Sequence, residues 1–232
     1  MKKFSQKVFG QIRQVVFGVE DGLISTLGVL TGIAGGSNNR AIIILSGIVI
    51  VLVEALSMGA GTYLSSKSER QAQEKILREE LDEIRKNPQA EKKELISFYK
   101  KRGYHDDEIK KMVRHVMKDE KLLLEEMAHK ELGIVMGQYE KPLKNSVYMF
   151  FSYIIGGIVP VLPYFFLPVG YGIIFSIILA CLSLFILGYY KGQLTETNKS
   201  KSGLEMLVIG AAVSAVAYLI GLLIGNIIGL LK

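Results

Sequence analysis

Apolar residues fall into five runs, at roughly Ile12–Ile33, Ala41–Leu64, Val147–Leu167, Val169–Tyr190 and Leu207–Leu231. Each is long enough to cross a hydrocarbon core, which takes ~20 apolar helical residues. Between the second and third runs lies a polar stretch with helical periodicity and helix punctuation. Ser68 to Lys86 holds strong helix formers and neither Gly nor Pro, and Asn87-Pro88 must break it. A second polar helix is predicted from Gln89 to Lys101. A third follows, capped by Asp106 or Asp107 and running to Met117, and a fourth is capped by Asp119 and runs through Glu131 toward Met136. Apolar positions in this stretch look too sparse for a large core of its own, so it is expected to pack on a symmetry mate. The pattern predicts an all-α, polytopic membrane protein with five transmembrane helices and a helical domain inserted between helices two and three. The boundaries are 1–66, 67–145 and 146–232.

Charge sharpens the division. From Lys67 to Lys144 the chain carries 19 Lys/Arg and 17 Asp/Glu, and most other charges sit at the ends of apolar runs. Lys2, Lys3, Lys7 and Arg13 precede the first run, the charged domain follows the second, and Lys191, Lys199 and Lys201 follow the fourth. The other side has only Arg40 and Lys232. Basic flanks mark the cytosolic side, so the N-terminus and charged domain are expected in the cytosol and the C-terminus on the far side. Glu20 and Asp21 interrupt the first run, which argues against a cleaved signal peptide. The single Cys181 excludes an intrachain disulfide. The net charge of +6 does not imply nucleic acid, because the bases alternate with acids or sit at membrane edges.

The chemistry concentrates at two places. In the second run, Glu54, Met58 and Gly61/Thr62 share one helical face. A carboxylate at membrane depth is costly and by default marks an ion or proton path; a thioether adds a soft, uncharged metal ligand. The alternative on the same residues is a tight helix contact through Ser57, Gly59 and Gly61, with Glu54 snorkelling or paired. In the first run Asp21 stands beside Gly22, and it is the acid chosen for the path; Glu20 points about 100° away on the helix and is expected to pair with Arg13 or lie at the interface. In the charged domain, Glu80/Glu83 and Glu91/Glu94 are i,i+3 pairs and Met127/Glu131 is an i,i+4 pair. Each pair projects from one face of its helix, so three short helices can bring six ligands together. Carboxylates with a thioether suit iron(II) over calcium or magnesium. Taken alone, such pairs are more often solvated helix faces. His105, His115 and His129 have no ligand spacing and read as surface residues.

Phe17-Gly-Val-Glu-Asp-Gly-Leu-Ile-Ser-Thr-Leu27, Ala55-Leu-Ser-Met-Gly-Ala-Gly-Thr-Tyr-Leu-Ser65 and the charged insert after the second helix resemble the vacuolar iron transporter family across essentially the whole chain. The resemblance implies a homodimeric, proton-coupled exporter of Fe²⁺, and sometimes Mn²⁺, from the cytosol. It implies metal ligands at Glu80, Glu83, Glu91, Glu94, Met127 and Glu131, and a path through Asp21 and Met58, to which Glu54 is added here. One departure stands out: many members have Gly-Glu-Tyr where this chain has Gly61-Thr62-Tyr63.

The expected function is therefore transport of Fe²⁺, with Mn²⁺, Co²⁺ or Zn²⁺ as further substrates, out of the cytosol across a plasma or vacuolar membrane in exchange for protons. The sequence has no nucleotide-binding loop or catalytic triad, so neither an organic cofactor nor an enzyme activity is expected. The rival reading is a membrane-anchored metal buffer or sensor. A di-iron oxidase ranks last, because the ferritin-like site takes Glu-x-x-His from each of two helices and the charged domain holds the single pair Glu126/His129.

Overall fold

The computed structural model describes residues 6–137, 139 and 141–230, with side chains for all of these except 6–10, 217, 218 and 221–230. Its elements, in order, are α1 (Gln6–Gly36), α2 (Arg40–Lys86), α3 (Pro88–Lys101), α4 (Asp106–Val116), α5 (Glu120–Lys130), α6 (Pro142–Phe166), α7 (Val169–Leu194) and α8 (Lys199–Leu230). The fold is all-α. Two compact units divide it: Met1–Leu64 with Pro142–Lys232, and Ser65–Lys141. Helix α2 contributes to both.

Among the described residues, α1, α2, α6 and α7 are long and apolar enough to cross a membrane. The expected fifth span, Leu207–Leu231, falls on α8, and its Gly221/Gly225/Gly229 ridge lies outside the described side chains.

The apolar unit is held by close approaches of small residues. A Cβ at Gly22 would sit 2.5 Å from the Tyr153 carbonyl, and one at Gly156 would strike the Val19 carbonyl, so α1 and α6 touch backbone to backbone. Helices α7 and α8 do the same, with Gly188 against Ser202 and Gly203. Leu30, Ile43, Val51, Val161 and Tyr164 form one buried cluster; Leu23, Leu27, Ala180 and Leu184 form another. Prolines near a helix end predict a kink and exit from the third run, but α6 continues through Pro160 and Pro163 to Phe166, and Pro168 stands at the N-cap of α7. Two side chains support this stretch. Ser176 Oγ donates to the Pro160 carbonyl at 2.7 Å. Arg40 Nε donates to the Tyr164 carbonyl at 2.6 Å, and its guanidinium also reaches the Phe165 carbonyl, satisfying acceptors that a helix end leaves open.

The charged unit corrects an expectation. Its apolar residues are few, but they build a core of the unit's own: Leu77 and Ile84 from α2, Leu95 and Tyr99 from α3, Ile109, Val113 and Val116 from α4, and Leu123, Leu124, Met127 and Ala128 from α5. Spacings of three, four and seven residues place every one of them inward, so economy replaces abundance. Asp119 caps α5 as predicted, accepting from the N–H groups of Lys121 and Leu122. The cap of α4 is His105 rather than Asp106 or Asp107, with Glu108 accepting the His105 backbone N–H at 2.9 Å. Helix α5 stops at Lys130, short of Met136. Gly133 takes a φ of +66° and Ile134 N–H turns back to the Ala128 carbonyl.

Candidate metal and ion sites

Each of the three ligand pairs in the charged unit has an inner and an outer member. Glu80 is 7% exposed, Glu91 5% and Met127 0%, whereas Glu83, Glu94 and Glu131 are exposed. The inner residues sit on α2, α3 and α5 beside core residues one turn away, Leu77 and Ile84, Leu95, and Leu123 and Leu124. Five of the six predicted ligands act on one another. Burial, then Glu131, Glu91, Glu83 and Glu94, pushes the Glu80 carboxyl up to about 7. Burial, then Glu94, Glu131 and Glu83, raises Glu91. Glu131 is raised by burial and then by Glu94 and Glu83. Each helix thus turns its acids toward the same region.

Among the described residues, no ion pair joins these glutamates to a base. One Glu80 oxygen is buried without a hydrogen-bond partner. Lys130 is occupied elsewhere: it pairs with Glu126 and lies 3.6 Å from the centre of the Tyr99 ring. Glu126, which the sequence reading left out of the ligand set, is thereby held by Lys130, and Tyr99 Oη lies 3.5 Å from its carboxylate. Among the described residues no three Asp, Glu, His or Cys groups close tightly around one point as a metal shell would. The carboxylates couple by charge rather than by shared contact, as uncompensated like charges must. His105, His115 and His129 are exposed. Met127 also has a packing role, filling the middle of the core.

In the apolar unit, Asp21 on α1 and Glu54 on α2 lie within electrostatic range of each other. Tyr153 on α6 feels both. Ser25 ties this group together: its Oγ donates to the Asp21 carbonyl at 2.6 Å and lies 2.6 Å from the Tyr153 hydroxyl. Asp21 also opens on a cavity of about 470 Å³ that runs past Ser25, Gly28 and Gly32 to Val213 on α8. Glu54 is exposed among Leu52, Val53 and Leu56, and Met58, one turn on, is half-buried. Glu20 feels Lys191 rather than the expected Arg13. Sequence reasoning missed Ser25 and Tyr153. The one available signal was a tyrosine hydroxyl at membrane depth, which needs a polar partner.

Four helices long and apolar enough to cross a membrane, two of them carrying Asp21 and Glu54, joined in one chain to a charged unit with acids on three helices, define a polytopic membrane protein. The VIT family's sequence profile matches residues 12–222, so the chain belongs to the VIT family. It is 33% identical over 208 residues to vacuolar iron transporter 1 of Eucalyptus grandis, covering 89% of this chain and 84% of that protein. Against vacuolar iron transporter 1 of Arabidopsis thaliana the identity is 30%, covering 89% and 83%. The vacuolar iron transporter of Toxoplasma gondii is 28% identical over 228 residues, covering 94% and 76%.

Proposed function

We propose that this protein moves Fe²⁺ out of the cytosol in exchange for protons, working as a homodimer with five spans per subunit. Membership in the VIT family makes the chain a metal ion transporter and not an enzyme. In this reading Glu80, Glu83, Glu91, Glu94, Met127 and Glu131 collect the ion on the cytosolic side, and Asp21, Glu54 and Met58 line the way across. The single observation that carries the collecting role is the set of mutually repelling glutamates with a buried, unpartnered Glu80 oxygen. Burying uncompensated carboxylates costs free energy, and a dication recovers it. Met127 supplies the softness that favours Fe²⁺ over Ca²⁺ or Mg²⁺, with Mn²⁺, Co²⁺ and Zn²⁺ as further substrates. Coupling follows from the path: a carboxylate at depth is neutralised either by a proton or by a share of a dication, so one leaves as the other arrives.

The apolar outer face of α2, with Leu45, Val49, Leu52, Val53 and Leu56 exposed around Glu54, supports a subunit contact, which would shelter that carboxylate from lipid. The relatives' printed name supports a vacuolar membrane. The test is metal flux into proteoliposomes with an imposed pH gradient, comparing Fe²⁺, Mn²⁺, Co²⁺ and Zn²⁺. Fe²⁺ uptake that collapses with the gradient is expected. Metal binding without any flux would instead leave the buffer or sensor reading.

A further inference from the structure

The charged unit has a second face whose chemistry is opposite to that of the glutamates. Helices α3 and α4 form an antiparallel hairpin, and along it runs a groove of about 620 Å³. Five cations line its rim: Lys92 and Lys100 from α3, Lys110 and Arg114 from α4, and Lys118 in the turn just after α4. The one acid in the lining, Asp106, is taken by Lys100 at 3.1 Å. Lys92, Arg114 and Lys118 have no carboxylate partner among the described residues, and they cluster where the start of α3 meets the end of α4. The floor is apolar, made of Ile96, Ile109, Val113 and Met117.

The spacing decides what fits. On α3 the lining positions are 89, 92, 96 and 100, a continuous ridge of about three turns and ~16 Å. A compact anion would engage the cations at one end and leave the apolar floor and the rest of the trough unfilled. A bilayer meets convex surfaces, and here the apolar atoms are recessed between two helices. A trough of this length with an apolar floor and charged edges is the shape that receives one amphipathic helix, and Met117 is a side chain that adapts to such a guest. We infer that the α3–α4 groove docks an acidic amphipathic helix of a partner protein, its apolar stripe on Ile96 and Met117 and its carboxylates against Lys92, Arg114 and Lys118. Steering by the rim would speed encounter and make it sensitive to salt. None of these residues belongs to the ion sites above, so the inference stands apart from which ion is carried.

The test uses the full chain in nanodiscs of zwitterionic lipid. The probe is a fluorescent helical peptide of about three turns, with Leu at i, i+3, i+4 and i+7 and Glu elsewhere. A second peptide keeps the Leu pattern and replaces every Glu with Lys. The acidic peptide is expected to bind saturably, and the basic one not at all. The K92E/R114E/K118E variant should weaken acidic binding by at least ~tenfold, as reversal of several interfacial charges does. Arg114→Gln, a milder change at an exposed position, should weaken it in the same direction with helix content unchanged by circular dichroism. Equal binding by parent and variants, or no binding of the acidic peptide, overturns the inference. So does retention of anionic phosphatidylserine vesicles by the parent, lost in the triple variant, without peptide binding; the face would then be a lipid contact.

Discussion

At the scale of single residues, Glu80 offers the clearest handle. Its carboxyl is raised to about 7, against 4.5 for an ordinary glutamate. Between those values the folded chain holds a proton that the unfolded chain has lost. Its contribution to stability is therefore full below pH 4.5 and fades as pH rises through 7. An arriving dication must displace that proton, so metal binding should tighten across the same window. Glu80→Gln should flatten this pH dependence and weaken binding of Fe²⁺ or Mn²⁺ by about tenfold or more, read by titration of the full-length protein. An unchanged pH profile in the variant would remove Glu80 from the site. Asp21 and Met58 separate charge from softness. Asp21→Asn should abolish both metal flux and the accompanying proton flux in vesicles. Met58→Leu, a swap cores usually tolerate at under ~1.5 kcal/mol, should leave the protein folded while lowering flux and blunting the preference for Fe²⁺. Parent-like transport by Met58→Leu would make Met58 a packing residue.

At the scale of helices, stability of the apolar unit rests on backbone contact rather than on side-chain volume. Gly22→Ala would drive a methyl into the Tyr153 carbonyl and the Gly157 nitrogen. Overpacking of this kind costs about 1–3 kcal/mol, so a lower melting temperature in detergent is expected; Gly36→Ala, which has open space around it, should leave melting unchanged. Much of the helical plan was readable from local rules. The break at Asn87-Pro88 and the Asp119 cap depend only on neighbouring residues, and both stand where those rules place them. Other features needed three dimensions. Residues at i and i+3 lie ~60° apart on a helix, too close for sequence to say which turns inward. Packing of α3 and α5 decides that Glu80 is covered while Glu83 is not. The same holds for the charged unit's core, which looked too thin as a count and proved sufficient as an arrangement. His105 was missed as a cap because it is a weak N-cap by type, and Glu108 compensates from within the first turn. Ser25 and Tyr153 meet across 128 residues, beyond any local rule.

For the molecule as a whole, the distribution of basic residues makes a claim about sidedness. The N-terminus, the charged unit and the α7–α8 turn should label from one side of a sealed vesicle, and the α1–α2 turn at Ser37–Asn39 from the other. A Cys181→Ser background with single cysteines at Ser68, Thr195 or Asn38 tests this with an impermeant maleimide. Labelling of Asn38→Cys and Ser68→Cys from the same side would invert the proposed arrangement. Arg40 does not disturb the charge rule, since its guanidinium is spent on the carbonyls at the end of α6.

That clamp has a mechanical consequence. Pro160 and Pro163 have no N–H to offer, so the carbonyls of Gly156 and Val159 go without their usual intrahelical donors. Helix α6 is thus anchored at its far end by Arg40 and compliant in the turn before it. Gly156 and Gly157 lie at the edge of the compliant stretch and press against Val19 and Thr26 of α1. A bend there cannot stay local: it levers the α1 contact and carries Tyr153, with the Ser25 bond behind Asp21, along with it. Pro163→Ala restores one donor and stiffens the rod, so the unit should melt at a higher temperature and turn over more slowly. If flux is unaffected by the added rigidity, α6 is a strut and the moving part lies elsewhere; if it falls, the two missing hydrogen bonds are the joint about which the transporter works.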